Sequence, residues 1–133
     1  MSHTKLKIGM LVLVTLVGIA AGQSNQTTHC IFYRESAFTG KALHASIRID
    51  SDEPKHKLPS GRYWATDLTP GEHLIYSDLE RYSRKYQLES DKTYYFRVEF
   101  RLNPPTVFGK MRFQIVPVEA EIATGEMTGL KPD

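Results

Sequence analysis

From Thr28 onward the chain is a succession of short alternating runs broken by turn residues. A two-residue period puts alternate side chains on opposite faces of a strand, so each run reads as a half-buried β-strand. The first covers Thr28 to Glu35. In the second, Leu43 to Asp50, the residues Leu43, Ala45, Ile47 and Ile49 face one way, and His44, Ser46, Arg48 and Asp50 the other. Ser51 to Lys57 is a polar excursion and reads as a solvated loop with no place in a core. Arg62 to Leu68 is a strand with Trp64 as its heaviest side chain, and Thr69-Pro70-Gly71-Glu72 follows it. Proline presets φ and glycine supplies positive φ for a type II turn, which predicts a hairpin between Arg62–Leu68 and His73–Asp78.

Lys85 to Glu89 is a further strand, with Tyr86 and Leu88 inward. The strongest is Thr93 to Arg101, where Tyr94, Phe96, Val98 and Phe100 alternate with Tyr95, Arg97, Glu99 and Arg101. Leu102 to Gly109 carries Pro104-Pro105 and must be loop, because adjacent prolines remove ladder donors. Lys110 to Val116 closes the series with Met111, Phe113 and Ile115 inward, and Val118 to Glu126 is a candidate short helix. The pattern predicts an all-β fold, an antiparallel β-sandwich of about seven strands with a short C-terminal helical turn.

The first 22 residues have another character. Lys5 and Lys7 precede an uncharged run from Ile8 to Ala20, and Ala20-Ala21-Gly22 places small residues at a cleavage site. That layout predicts a secretory signal peptide over 1–22, cut between Gly22 and Gln23. A bilayer core needs roughly 20 apolar residues, so this run predicts no stable membrane span after cleavage. A lipoprotein signal would place cysteine where Gln23 stands. The predicted division is therefore a signal peptide (1–22), a flexible arm (23–27), a sandwich domain (28–126) and a C-terminal tail (127–133). The expected address is periplasmic or extracellular, without a lipid anchor. Asn25-Gln26-Thr27 is a glycosylation sequon, used only in a eukaryotic secretory route.

Cleavage changes the charge. The formal +2 of the whole chain is carried by Lys5 and Lys7, and no acidic residue leaves with them, so the exported chain is neutral with histidines uncharged. A neutral domain has no global field for nucleic acid, which is not an expected partner. The single cysteine, Cys30, lies in an apolar run and has no partner for an internal disulfide. A buried, unreactive thiol is the expected state, with a reactive thiol or an intermolecular bridge as the alternatives.

In order, the motifs resemble a family. Tyr33-Arg34 ends the first strand, Leu58 and Gly61 flank a turn, and Pro70-Gly71-Glu72-His73 opens a hairpin. Lys92-Thr93-Tyr94-Tyr95-Phe96-Arg97-Val98 starts the long strand, and Val116-Pro117-Val118-Glu119 precedes the acidic C-terminal segment. Together, over roughly Thr28 to Gly125, these resemble the small exported bacterial envelope proteins grouped as domain of unknown function 2846. The resemblance implies a sandwich related to carboxypeptidase-regulatory-like domains and an envelope address. It carries no catalytic or binding residue.

Candidate chemistry is sparse. His29, His44, His56 and His73 lack the close spacing of a zinc site, so no metal and no cofactor is expected. Asp50, Asp52 and Glu53 cluster beside Lys55 and Lys57, where solvent screens them. Asp78 and Glu80 flank a turn. No nucleophile elbow or phosphate loop occurs, and no catalytic residue is expected. Arg81-Tyr82-Ser83-Arg84-Lys85-Tyr86 interleaves aromatic and cationic residues, a pattern that can stack on bases or sugars, but an exposed turn entering a strand with outward cations as edge protection is the expected cause. The expectation is an exported, non-enzymatic sandwich module that contacts a protein or an envelope component. The alternative is a small-molecule or glycan-binding domain using Trp64 and nearby tyrosines. A buried Trp64 favours the first, and an exposed Trp64 beside a concavity favours the second.

Overall fold

The computed structural model describes residues 26–37, 40–78, 83–102 and 111–133. The predicted signal peptide, Gly22, Gln23 and Asn25, the double-proline loop and most of Leu79–Ser83 lie outside the described residues. The nine described strands are β1 (Thr28–Tyr33), β2 (Ala45–Ile49), β3 (Pro54–Leu58), β4 (Arg62–Leu68), β5 (Gly71–Tyr76), β6 (Arg84–Leu88), β7 (Thr93–Leu102), β8 (Met111–Val118) and β9 (Lys131–Pro132). One described helix, α1 (Ala120–Glu126), lies between β8 and β9. The strands form a five-stranded sheet, β8-β7-β1-β4-β9, and a four-stranded sheet, β3-β2-β5-β6. The chain is an all-β sandwich with a short C-terminal helix.

Each sheet contributes one apolar face to the core. The larger sheet supplies Cys30, Phe32, Phe96, Val98, Phe113 and Ile115; the smaller supplies Ala45, Ile47, Ile49, Leu58, Ile75 and Leu88. Phe32 stacks on Phe96 with ring centroids 5.1 Å apart, and Tyr86 meets Phe96 edge-on at 5.2 Å. The alternation of β7 holds: Phe96 and Val98 are buried, and Tyr94 and Phe100 pack against the same core. Leu43 departs from its predicted place, because β2 begins only at Ala45 and Leu43 is 40% exposed.

Four details differ from the sequence reading. The predicted hairpin between β4 and β5 does not form. β4 pairs with β1, β5 pairs with β2 and β6, and Thr69-Pro70-Gly71 carries the chain from one sheet to the other. Gly71 keeps the positive φ (123°) that the turn chemistry demanded, but a tight turn fixes a change of direction and not a pairing partner. The larger sheet is also mixed, with β1–β7 and β4–β9 parallel.

The charged excursion contains β3, whose Leu58 is buried while Lys55 and Lys57 face solvent. An edge strand exposes one backbone edge and one side-chain face, so lysines mask its period. Finally, residues 127–133, read as a tail, return to the larger sheet. The N–H of Lys131 donates to the carbonyl of Gly61 at 3.3 Å, and that of Asp133 to Tyr63 at 2.9 Å.

One buried cation organises the loop end of the sandwich. Arg34 is 3% exposed and stacks on the Phe113 ring, its guanidinium carbon 4.4 Å from the ring centroid. Its forked guanidinium donates to the carbonyls of Leu43 (2.5 Å), Gly40 (2.6 Å) and Leu58 (3.1 Å). Gly40 has a φ of 75°, and a Cβ there would lie 2.8 Å from the Phe100 ring, so the loop must carry glycine at this point.

Candidate functional site

Two concavities collect the polar chemistry. The larger, about 580 Å³, lies on the outer face of the larger sheet beside α1 and is lined by Glu35, Arg97, Glu99, Arg101 and Glu126 among others. Strand alternation that turns Phe96 and Val98 inward turns Arg97, Glu99 and Arg101 outward here. Glu126 ends the helix, where the macrodipole disfavours a carboxylate. Arg97 offsets this by donating from Nη1 to both carboxylate oxygens, at 2.8 and 3.0 Å, and Tyr33 donates its hydroxyl at 2.6 Å. The hydrogen bond from Tyr33 holds the Glu126 carboxyl below its ordinary range, while burial against that carboxylate pushes the Tyr33 hydroxyl up.

Arg97 also donates from Nε to Glu99 at 2.7 Å, and Arg101 donates to the other Glu99 oxygen at 3.1 Å. Desolvation and the neighbouring Glu126 raise the carboxyl of Glu35. Arg97 is thus spent between two carboxylates, and the arrangement fastens α1 to β7. The outward set on β7 is legible in the strand's alternation. Tyr33, Glu35 and Glu126 carry no such signal, because their partners lie far off along the chain.

The smaller concavity, about 440 Å³, lies between β4 of one sheet and the β2–β3–β5 side of the other, lined by Asp50, Lys55, Trp64, Thr66, Asp67 and His73 among others. Asp50 follows β2 directly with a φ of 61°, a conformation that aspartate tolerates better than most side chains. Its Oδ1 accepts the Leu74 N–H at 2.8 Å, and its Oδ2 lies 2.6 Å from His73 Nδ1. The other ring nitrogen of His73, Nε2, is 2.7 Å from the carbonyl of Thr69. Two acceptors on two nitrogens suit the doubly protonated ring. Burial lowers the His73 pKa, but the bonds to Asp50 and Thr69 outweigh it and the net direction is up. Desolvation likewise raises Asp50, and the Leu74 amide and His73 outweigh it, so its net direction is down.

Trp64 is half-buried. His56 stacks on it in near-parallel fashion, centroids 4.7 Å apart and planes 3° off, and Phe32 abuts it at 5.7 Å. His56 is itself held by Asp133 at 2.6 Å. Trp64 therefore lines a concavity, as the ligand-binding alternative requires, while one ring face is already occupied.

The four histidines stay apart. His29 pairs with Asp67 at 2.6 Å on the outer face, His44 is exposed, and among the described residues no group of three or more His, Cys, Asp or Glu converges for a metal. Asp50 and Asp52, read as screened loop carboxylates, are engaged instead: Asp52 accepts the Tyr76 hydroxyl. Asp78 accepts the Phe113 N–H at 2.7 Å and covers part of the β8 edge. Of the basic–aromatic segment, Tyr86 turns inward with a hydroxyl that has no hydrogen-bond partner among the described residues. Cys30 is fully buried, and its thiol is pushed up to about 11, chiefly by desolvation and then by the charge of Asp67. No helix among the described residues is long and apolar enough to cross a membrane. No family model, curated protein or solved structure matches the chain.

Proposed function

We propose that the protein is an exported, non-enzymatic β-sandwich module that works by contact with a protein or an envelope component. The observation that carries this reading is how the central histidine of one concavity and the central arginine of the other are spent. Nε2 of His73, the atom a general base would need free, faces the Thr69 carbonyl, and Arg97 is divided between Glu99 and Glu126. Groups held on every side by the fold shape a surface and are not available for proton transfer. Export follows from the n-region, apolar run and small residues of the leader. Kinship with the envelope proteins of domain of unknown function 2846 belongs to the same proposal and rests on motif order.

A photo-crosslinking residue placed in turn at Ala65, Arg101 and Ile122 tests it in the native envelope. The expected result is a discrete protein or envelope adduct from at least one site, on a chain whose intact mass begins at Gln23. Absence of any adduct, or an uncleaved or acylated chain, would overturn it. One observation favours a second reading, a small-molecule or glycan site: Trp64 lines a cleft that also presents Asp50, Lys55 and Asp67. Because Trp64 is the sole tryptophan, its fluorescence on titration with soluble cell-wall oligosaccharides tests that reading directly.

A further inference from the structure

The open edge of β4 is the feature neither concavity explains. β4 pairs with β1 along its whole length, from Tyr63 opposite Tyr33 to Leu68 opposite Thr28. On its other edge, β9 covers only Arg62 and Tyr63. The carbonyls of Gly61 and Tyr63 accept from β9, whereas that of Arg62 accepts from Arg34 beside β1. Since the N–H and C=O of one residue share a side and successive residues alternate, Ala65 and Asp67 aim their backbone groups away from β1. No described strand meets them there.

Other sheet edges are blunted by devices that natural proteins use against pairing. β3 carries Pro54, Lys55 and Lys57; β6 begins Arg84-Lys85; β8 has Pro117 and, at Phe113, the covering Asp78. The stretch from Trp64 to Leu68 has neither proline nor a basic residue, and Trp and Thr favour strands. The smaller concavity runs along this same stretch, so an inward side chain on an added strand has a space to enter. β9 supplies the mode of occupation. It is an extended segment of the chain already seated in parallel on this edge, pointing toward Ala65.

We infer that the edge from Trp64 to Leu68 is a docking strip for an extended segment of a partner protein. That segment adds in parallel beyond β9, its backbone pairing with Ala65 and Asp67 and one apolar side chain entering the cleft beside Trp64. Strand addition draws affinity from main-chain hydrogen bonds and specificity from pockets for alternate side chains. The inference rests on the contact-module reading and names the surface used.

The full chain with a short segment of alternating threonine and valine appended after Asp133 tests the strip. The tether supplies a high effective concentration, so weak affinity cannot hide pairing. Amide exchange of Ala65 and Asp67 should slow at least about tenfold relative to the unextended chain. Ala65→Pro, which removes an outward donor without touching a bond to β1, should abolish the slowing at Asp67. Should that variant not fold, the comparison between extended and unextended chains decides alone. Unchanged exchange at both amides overturns the strip, as does protection in the unextended chain that grows with protein concentration, which would put a second copy on the edge. In the crosslinking experiment, a protein adduct from Ala65 supports the strip. Adducts from Arg101 alone overturn it and leave the contact module standing; no adduct anywhere overturns the contact module itself.

Discussion

Arg34 and Cys30 illustrate how burial sets the behaviour of single residues. Arg34 is a cation without a carboxylate partner among the described residues, kept in the interior by three carbonyls and the face of Phe113. A lysine there offers a point charge in place of a rigid planar fork. Arg34→Lys should therefore destabilise the protein by about 1–3 kcal/mol, the cost of buried acceptors left without donors. Urea unfolding of the two proteins measures this, and equal midpoints would mean that the carbonyls are satisfied by other means. Cys30, fully buried with a thiol pushed up to about 11, holds little thiolate near neutrality. DTNB should label it slowly in the native state and rapidly after unfolding, and non-reducing gels should show no reductant-sensitive dimer. Rapid native labelling would contradict the burial.

Among the elements, β7 is the one whose two faces do different work. Its inward face meets the core through Phe96, which stacks on Phe32, and Phe96→Ala should cost about 3–5 kcal/mol. Its outward face ties down α1 through the fork of Arg97 on Glu126. Arg97→Ala should cost well under the Phe96 figure in global stability, yet it should free the helix. Amide exchange in Ala120–Glu126 is then expected to accelerate while that of the core strands does not. Glu126→Gln, which keeps the shape and loses the charge, should produce a weaker version of the same pattern. Equal global destabilisation by Phe96→Ala and Arg97→Ala would refute the register of β7.

For the whole molecule, the clamp of Asp50, His73 and Thr69 joins the end of β2 to the crossover between sheets and makes stability depend on pH. The folded pKa of His73 is raised above its ordinary 6.5, so its contribution is complete below that value and is lost as pH rises through the folded pKa. The folded pKa of Asp50 lies below its ordinary 3.8, so its contribution is present above that value and is lost as pH falls through the folded pKa. Together they favour a stability maximum between these two ordinary values, with Lys55 as the other charge favouring the ionised Asp50. Urea midpoints for the wild type should be higher at pH 5 than at pH 8. In His73→Gln that difference should shrink, and an unchanged difference would assign the pH dependence elsewhere.

Local geometry was legible in neighbouring residues alone. Period-two alternation marked β2, β7 and β8 with their two faces, and β1 as a strand, because the chemistry of one strand's two faces is written in adjacent residues. Proline and glycine marked where the chain turns, and Cys30 announced its burial through Ile31 and Phe32. Strand pairing, in contrast, was settled by long-range packing. Thr69-Pro70-Gly71 serves a hairpin or a change of sheet equally well, and the choice lies in the far larger energetics of core burial. The same holds for β3, whose lysines hide its period, and for β9, a two-residue strand that exists only because β4 offers an edge. The site residues that escaped sequence reading share one cause. Tyr33 and Glu126 are 93 positions apart, and Asp50 and His73 are 23 apart, so no motif of fixed spacing joins them until the fold does.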